Sequence, residues 1–126
     1  MAKRKKLKSL KYWHKKCWKL MSEFVRRKER GRCYICGDVK DWKLQDAGHF
    51  VHRNCLDYDL RNIHCSCSRC NRFLHGNLNI YAEKLIKDYG AGIIGELNRL
   101  GHEVSKTSRE ELQRLSVVLT EAIENL

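Results

Sequence analysis

The chain has 126 residues, 26 Lys and Arg against 15 Asp and Glu, a net charge of +11, and 7 cysteines. This length fits one domain with a thin core, and no apolar run approaches the ~18 residues that a membrane span needs. Because no apolar stretch follows the N-terminal charges, we expect no secretory signal, no membrane partner and a cytoplasmic location. Cytosolic thiols stay reduced and the cysteine count is odd, so metal ligation is favoured over disulfides.

The excess positive charge lies in the first quarter of the chain. Residues 1–32 hold 14 Lys and Arg and 2 acidic residues, whereas residues 33–126 hold 12 basic and 13 acidic residues. A concentrated basic segment favours nucleic-acid contact, and the alternative is a solvated helix. Apolar positions spaced by three and four predict an amphipathic helix over residues 7–29 that ends at Gly31. Its polar face carries the candidate phosphate contacts Lys8, Lys11, Lys15, Lys16 and Lys19.

Two cysteine pairs have the spacing of zinc knuckles. They are Cys33 with Cys36, and Cys67 with Cys70. A two-residue gap lets both thiolates of a pair reach one ion, and four sulfurs form a closed, structural zinc site. Cys65 is an alternative ligand beside Cys67, although the two-residue gap favours Cys67 with Cys70. Cys17 and Cys55 are predicted to be buried or incidental thiols.

Thirty residues separate the two pairs, which is more than a simple zinc ribbon needs. The insert and the residue after the last cysteine contain groups that suit phosphodiester hydrolysis. His49 can act as a general base near neutral pH. Asp46 and Asn71 supply the carboxylate and amide oxygens that a catalytic magnesium or manganese ion prefers. A bend at Gly48 would bring Asp46 and His49 to one site, which alternation along a straight strand would not.

The remaining elements are short strands and helices. Strands are predicted near residues 44–47 and 61–65, joined by a loop. A helix is predicted from near Cys70 to Tyr89, with an apolar face of Leu78, Ala82, Leu85, Ile86 and Tyr89. A short helix runs through Ile93 and Leu100 to Gly101. The last helix begins at Ser108, where Ser108 and Glu111 form a capping-box pattern.

These elements predict an α+β, mostly helical fold. Residues 1–32 would form the basic amphipathic helix, residues 33–89 a zinc-stapled core, and residues 90–126 a C-terminal helical extension. We expect the three parts to form one compact domain.

The centre of the chain resembles the HNH nucleases. That family has a histidine on a first strand, an asparagine before a second zinc knuckle, and a His or Asn directly after it. His49, Asn62 and Asn71 fall at these positions. The chain is more specifically similar to the NinG (Rap) family of lambdoid phage recombination proteins. The segments that match this family's pattern are residues 33–37, 47–50, 62–64, 70–72 and 76–77.

This resemblance implies an HNH (ββα-metal, treble-clef) core and a magnesium-dependent, structure-specific DNA endonuclease acting on branched recombination intermediates such as Holliday junctions. It makes His49 the general base, Asn71 a metal ligand and Asp46 the second ligand. It also implies that Asn62 hydrogen-bonds the backbone and fixes the loop that presents His49. HNH enzymes usually carry the acidic ligand directly before this histidine, whereas Ala47 and Gly48 intervene here. Further candidate phosphate contacts are Arg53, His64, Arg69 and Arg72.

Two other functions compete with the nuclease. One is a non-catalytic, zinc-dependent nucleic-acid-binding module that uses Trp13 or Trp18 for stacking. The other is a structural assembly factor whose C-terminal helix pairs with a partner. Only a nuclease predicts cleavage that needs added divalent metal and is lost in His49→Ala. A branched substrate must be cut on two strands, so we also expect a homodimer. The terminal helices offer apolar stripes for it, although such stripes more often pack within the chain.

Overall fold

The computed structural model describes residues 7–103 and 107–126, so the basic tail at residues 3–6 lies outside the described residues. The helices and strands are α1 (Leu10–Lys28), β1 (Asp46–His49), β2 (Ile63–Ser66), α2 (Leu78–Tyr89), α3 (Ile93–Gly101) and α4 (Arg109–Glu124). The fold is α+β and mostly helical, as predicted. Across the described ranges, no helix combines the length and apolarity that crossing a membrane requires.

Helix α1 forms where the spacing of apolar residues predicts it. Ser9 caps its first turn, where the serine hydroxyl accepts a hydrogen bond from the Tyr12 amide at 3.2 Å. The buried residues of α1 are Cys17, Met21 and Val25. The chain then turns at Gly31, which has a φ of 70°, and a Cβ there would lie 1.9 Å from the Lys40 carbonyl oxygen. Only glycine fits this turn.

The terminal helices pack against each other. The thiol of Cys17 on α1 donates a hydrogen bond to the Leu112 carbonyl of α4 at 3.1 Å. The Ser108 hydroxyl accepts from the Glu111 amide at 3.1 Å, which confirms the predicted N-terminal cap of α4. Because the apolar stripes of α1 and α4 meet within the chain, a homodimer would have to use other surfaces.

The two strands form an antiparallel sheet with helices on both faces. Asp46 lies opposite Ser66, and His49 lies opposite Ile63. Both strands begin about two residues later in the chain than predicted. Ala47, Ile63 and Cys65 point to α1 and α4, where they pack around Met21 and Leu119. The other face, with Gly48 and His64, points to α2 and to the second cysteine pair.

The prediction of a single helix from near Cys70 to Tyr89 is wrong. A π-helical turn at Arg69–Phe73 is separated from α2 by His75, Gly76 and Asn77, which have φ angles of 50°, 90° and 47°. Three consecutive residues in the left-handed region cannot continue a right-handed helix. The predicted apolar face of α2 is also incomplete. Its buried residues are Tyr81 and Leu85, whereas Leu78, Ile86 and Tyr89 are each more than 40% exposed.

Candidate functional site

The two predicted knuckles meet in one cysteine cluster. The sulfurs of Cys33, Cys36, Cys67 and Cys70 all lie within 4.8 Å of one another. In the part of the chain that the structure describes, no other group of His, Cys, Asp or Glu side chains could hold a metal ion in this way. Cys36 Sγ lies 3.6 Å from Cys67 Sγ, close to the ~3.8 Å edge of a tetrahedron with Zn–S bonds of about 2.3 Å. Four cysteines therefore stand where they could hold a metal such as zinc.

Local backbone geometry turns each pair toward its partner. The Cys36 amide points at Cys33 Sγ at 3.5 Å, and the Cys70 amide points at Cys67 Sγ at 3.4 Å. Gly37 follows the first pair with a φ of 82°, as a tight return of the chain requires. Burial opposes ionisation of Cys33, but hydrogen bonds from neighbouring backbone amides outweigh it and lower the pKa of this thiol to about 7.

The other cysteines lie outside the cluster. Cys65 is fully buried among the side chains of α1 and α4, and burial, with Glu29 nearby, raises the pKa of its thiol to about 12. This placement excludes the alternative in which Cys65 is a ligand. The Cys55 thiol donates to the Leu100 carbonyl at 3.4 Å, as the Cys17 thiol does to Leu112.

The second knuckle places Asn71 against strand β1. Asn71 Nδ2 donates to Asp46 Oδ2 at 3.1 Å, and Arg72 makes two hydrogen bonds of 3.0 and 2.9 Å to the same carboxylate. A Cβ at position 48 would lie 3.3 Å from Asn71 Oδ1 and 3.0 Å from the Ser66 Cβ. Gly48 thus allows the asparagine to approach the strand closely. Two of the predicted metal ligands, Asp46 and Asn71, are brought together.

His49 is held by two residues that the sequence did not single out for this site. Its Nε2 lies 2.9 Å from Asp57 Oδ1, and its ring stacks on Trp18 with the centroids 4.5 Å apart and an interplanar angle of 20°. The side chains of His49 and Asp57 are 18% and 21% exposed. Asp57 follows a short 3₁₀ turn, Asn54–Leu56, in a loop without periodicity, so no sequence signal marks it.

The expected bend at Gly48 is not found. Residues 46–49 pair with β2 in regular antiparallel register, so side chains alternate between the faces of the sheet. Asp46 shares the Gly48 face with Asn71, whereas His49 shares the Ala47 face with Trp18. Asp46 and His49 therefore belong to two separate side-chain groups on opposite faces of β1.

Asn62 makes the backbone hydrogen bonds that the resemblance implied. This side chain is fully buried. Its Oδ1 accepts from the Val51 amide at 2.8 Å, and its Nδ2 donates to the carbonyls of Val51 at 2.9 Å and Leu56 at 3.4 Å. The asparagine thereby holds both sides of the loop between β1 and β2.

His64 does not face solvent, which argues against the expected phosphate contact. It is 5% exposed, stacks on Tyr34 with the ring centroids 3.8 Å apart, and has its Nδ1 2.8 Å from the Tyr81 hydroxyl. That hydroxyl also donates to the Gly48 carbonyl at 3.0 Å. His64 and Tyr81 therefore form a buried layer beneath β1. Burial lowers the pKa of His64 to about 4.

This buried histidine predicts a pH-dependent stability. The unfolded chain takes up a proton at His64 below its ordinary pKa of about 6.5, whereas the folded chain resists it until about pH 4. Stability from this group is therefore present above pH 6.5 and is lost as the pH falls toward 4. Between pH 7 and 5 we expect wild type to lose about 2 kcal/mol more unfolding free energy than His64→Phe. Urea unfolding of both proteins measures this, and parallel pH profiles would contradict it.

Most of the predicted phosphate contacts lie on the surface. Lys8, Lys11, Lys15, Lys16, Lys19, Arg53 and Arg69 are exposed. Arg72 is exposed as well but pairs with Asp46. A surface pocket of about 520 Å³ is lined by three of the α1 lysines and by Tyr12 and Leu20; the lysines are Lys15, Lys16 and Lys19. Of the two tryptophans expected to stack on bases, Trp18 already stacks on His49, and Trp13 has the Lys16 ammonium 5.1 Å from its ring centre.

Comparison with known proteins identifies the family. The model of a family described as bacteriophage lambda NinG protein matches residues 1–126. Protein ninG of Salmonella phage P22 is 29% identical over 124 residues, covering 95% of this chain and 60% of the relative. Protein ninG of Escherichia phage lambda is 28% identical with the same coverage, and that of Enterobacteria phage H19B is 32% identical over 72% of this chain and 47% of the relative.

The chain spans about 60% of the length of the phage P22 and lambda relatives. No solved structure matches it. The family match extends over the basic helix α1, both cysteine pairs, the two strands and the C-terminal helices. The chain therefore belongs to the NinG family of lambdoid phage proteins.

Proposed function

We propose that this chain is a metal-dependent DNA endonuclease that cuts branched recombination intermediates and is built on an HNH-type (ββα-metal, treble-clef) core. The observation that carries the proposal is the contact of Asn71, directly after the second cysteine pair, with the strand that bears Asp46 and His49. In the HNH pattern, a histidine on the first strand and an asparagine after the second knuckle serve one phosphate.

The donor set at Asp46 and Asn71 fits a hard divalent cation. A carboxylate and an amide oxygen, completed by water, are ligands that magnesium and manganese accept. The Asn71 amide, whose Nδ2 donates to Asp46 in this structure, would have to rotate to present its oxygen to the same ion. The position directly before His49 is Gly48, which has no side chain. Asp46 lies two residues before Gly48 and on the same face of the strand as Gly48. The Asp46 carboxylate is paired with Arg72, whose side chain is 69% exposed and so has room to move to a phosphate. A bound cation would neutralise charge on that phosphate.

His49 supplies the base. Its imidazole takes a proton from the water that attacks phosphorus. Asp46 and His49 lie on opposite faces, but within the described residues β1 has a strand neighbour on one edge only. A phosphate lying along the other edge can contact groups from both faces. In this proposal, the scissile phosphate lies beside β1 rather than over one face of the sheet.

The basic helix supplies affinity for DNA. Trp18 links α1 directly to the His49 ring, so a backbone bound by the lysines of α1 passes close to this histidine. Binding through lysine–phosphate contacts releases counterions and weakens as salt rises. Cutting both strands of a branch would require two copies of the chain, and the proposal therefore includes a homodimer.

One observation favours a non-catalytic nucleic-acid-binding module instead. Arg72 already satisfies both oxygens of Asp46, as it would in a purely structural ion pair. The two functions share the basic surface and the metal-stapled fold. Only cleavage distinguishes them.

The test compares a four-way junction, single-stranded DNA and linear duplex as substrates for the zinc-loaded protein. Magnesium is either added or omitted, because a chelator would also attack the cysteine site. We expect cleavage of the junction with magnesium, little cleavage of duplex, and none without magnesium. Salt-sensitive binding without cleavage of any substrate would leave the non-catalytic module as the function.

A further inference from the structure

We infer that Asp57 is a positioning residue for His49: its carboxylate holds the Nε2–H of the imidazole and leaves Nδ1 as the basic nitrogen that faces the attacking water. The inference rests on the proposed function of His49 as the general base. It adds to the site an acidic residue from the loop between the two strands.

The contact geometry supports this assignment of the two nitrogens. His49 Nε2 and Asp57 Oδ1 are 2.9 Å apart, and an ionised carboxylate only accepts hydrogen bonds, so Nε2 carries the hydrogen. Among the described residues, Nδ1 of His49 has no hydrogen-bond partner, and it is not one of the buried side-chain nitrogens or oxygens left unpaired. Nδ1 therefore faces solvent.

Trp18 restrains the same ring from its face. The stacked indole, at 4.5 Å and 20°, sets the plane of the imidazole, while the Asp57 bond sets the direction of Nε2 in that plane. Trp18 follows Cys17, which is buried against α4. An imidazole restrained both in plane and in direction is a preorganised base, which loses little freedom when the reaction begins.

Asn62, just before β2, helps to hold Asp57 in place. The backbone amide of Asp57 donates to the Asn54 carbonyl at 3.2 Å, which closes the short turn, and Leu56 in that turn is buried. The Leu56 carbonyl accepts from Asn62 Nδ2 at 3.4 Å. Asn62 therefore acts on His49 through Asp57, in addition to holding the loop at Val51.

A carboxylate on the far nitrogen has a defined chemical effect. When a proton moves from the attacking water to Nδ1, the imidazole becomes a cation, and the adjacent carboxylate stabilises it. The water oxygen forms the new P–O bond, the ester P–O bond breaks, and the leaving oxygen takes a proton from solvent. Asp57 keeps its charge throughout and touches neither water nor phosphate.

Asp57→Asn tests the inference because it preserves size but removes the charge. The first readout is the tautomer of the His49 ring, read from nitrogen–proton NMR correlations. The second is cleavage of the four-way junction with magnesium, separated into kcat and KM. We expect the Nε2–H form in wild type, a loss of that preference in Asp57→Asn, and a kcat lower by roughly 10²-fold or more at similar KM. Glu103→Gln removes an exposed carboxylate elsewhere and should change neither readout.

The outcomes separate this inference from the proposed function. An Nδ1–H tautomer in folded wild type, or an unchanged tautomer in Asp57→Asn, would overturn the inference without reference to activity. Unchanged kcat in Asp57→Asn would overturn it as well, provided that wild type cleaves. If wild type cleaves nothing, the proposed function fails, and the tautomer comparison still decides whether Asp57 sets the free nitrogen.

Discussion

Removing the metal from the four-cysteine cluster is expected to unfold the core of the chain. Cys33, Cys67 and Cys70 are buried in the same cluster as Leu85 of α2 and Leu97 of α3, so a metal bound by the four cysteines would join the two knuckles at the core. A core of this size is thin, and a structural zinc site contributes roughly 10–16 kcal/mol in zinc-finger peptides. This contribution is as large as the whole free energy of unfolding of a typical small domain, which is about 5–15 kcal/mol.

The measurements are metal content and thermal unfolding followed by circular dichroism. Cys67→Ser should lose the metal and the cooperative transition, and chelation of wild type should do the same. Cys55→Ser is the matched control, because a serine hydroxyl can replace the thiol that donates to Leu100. Cys65→Ala should keep the metal, since Cys65 packs against α1 and α4, on the face of the sheet away from the cysteine cluster. A metal-free Cys67→Ser protein with an unchanged transition would contradict the structural role.

Replacing His49 should abolish cleavage while the fold and DNA binding persist. Loss of a general base typically lowers the rate by about 10²–10⁴-fold, and the surrounding loop is held independently by Asn62. His49→Ala tests the loss of the ring. His49→Gln is more selective, because glutamine can still donate to Asp57 and fill space beside Trp18 but cannot take up a proton near neutral pH.

Single-turnover rates on the four-way junction, with enzyme in excess and magnesium present, measure this effect apart from binding. His102→Ala changes an exposed histidine after α3 and should cleave at the wild-type rate. Metal content and thermal midpoints of all variants show whether the fold is retained. Wild-type rates in His49→Gln would end the assignment of a general base. Loss of binding together with cleavage would instead make His49 a binding or structural residue.

Features that depend on neighbours along the chain could be predicted from sequence. The two-residue gaps of the cysteine pairs, the apolar spacing of α1, and the cap formed by Ser108 and Glu111 all act within a few residues. Local geometry is enough to bring two thiolates to one ion or to bury one face of a helix. Asn62 and Asn71 stand in short motifs around the second pair, and these motifs carry the resemblance to the HNH pattern.

Tertiary structure alone decided which side chains meet. Cys65 and Cys67 were both possible ligands, and only the packing of β2 against α1 removed Cys65. The sequence makes His64 a candidate phosphate contact, but the register of a strand assigns each side chain to one face, and the face of His64 is covered by Tyr81. Asp57 reaches His49 because Asn62 folds an aperiodic loop back over the strand. Such contacts depend on the relative placement of elements distant in sequence, which spacing along the chain does not encode.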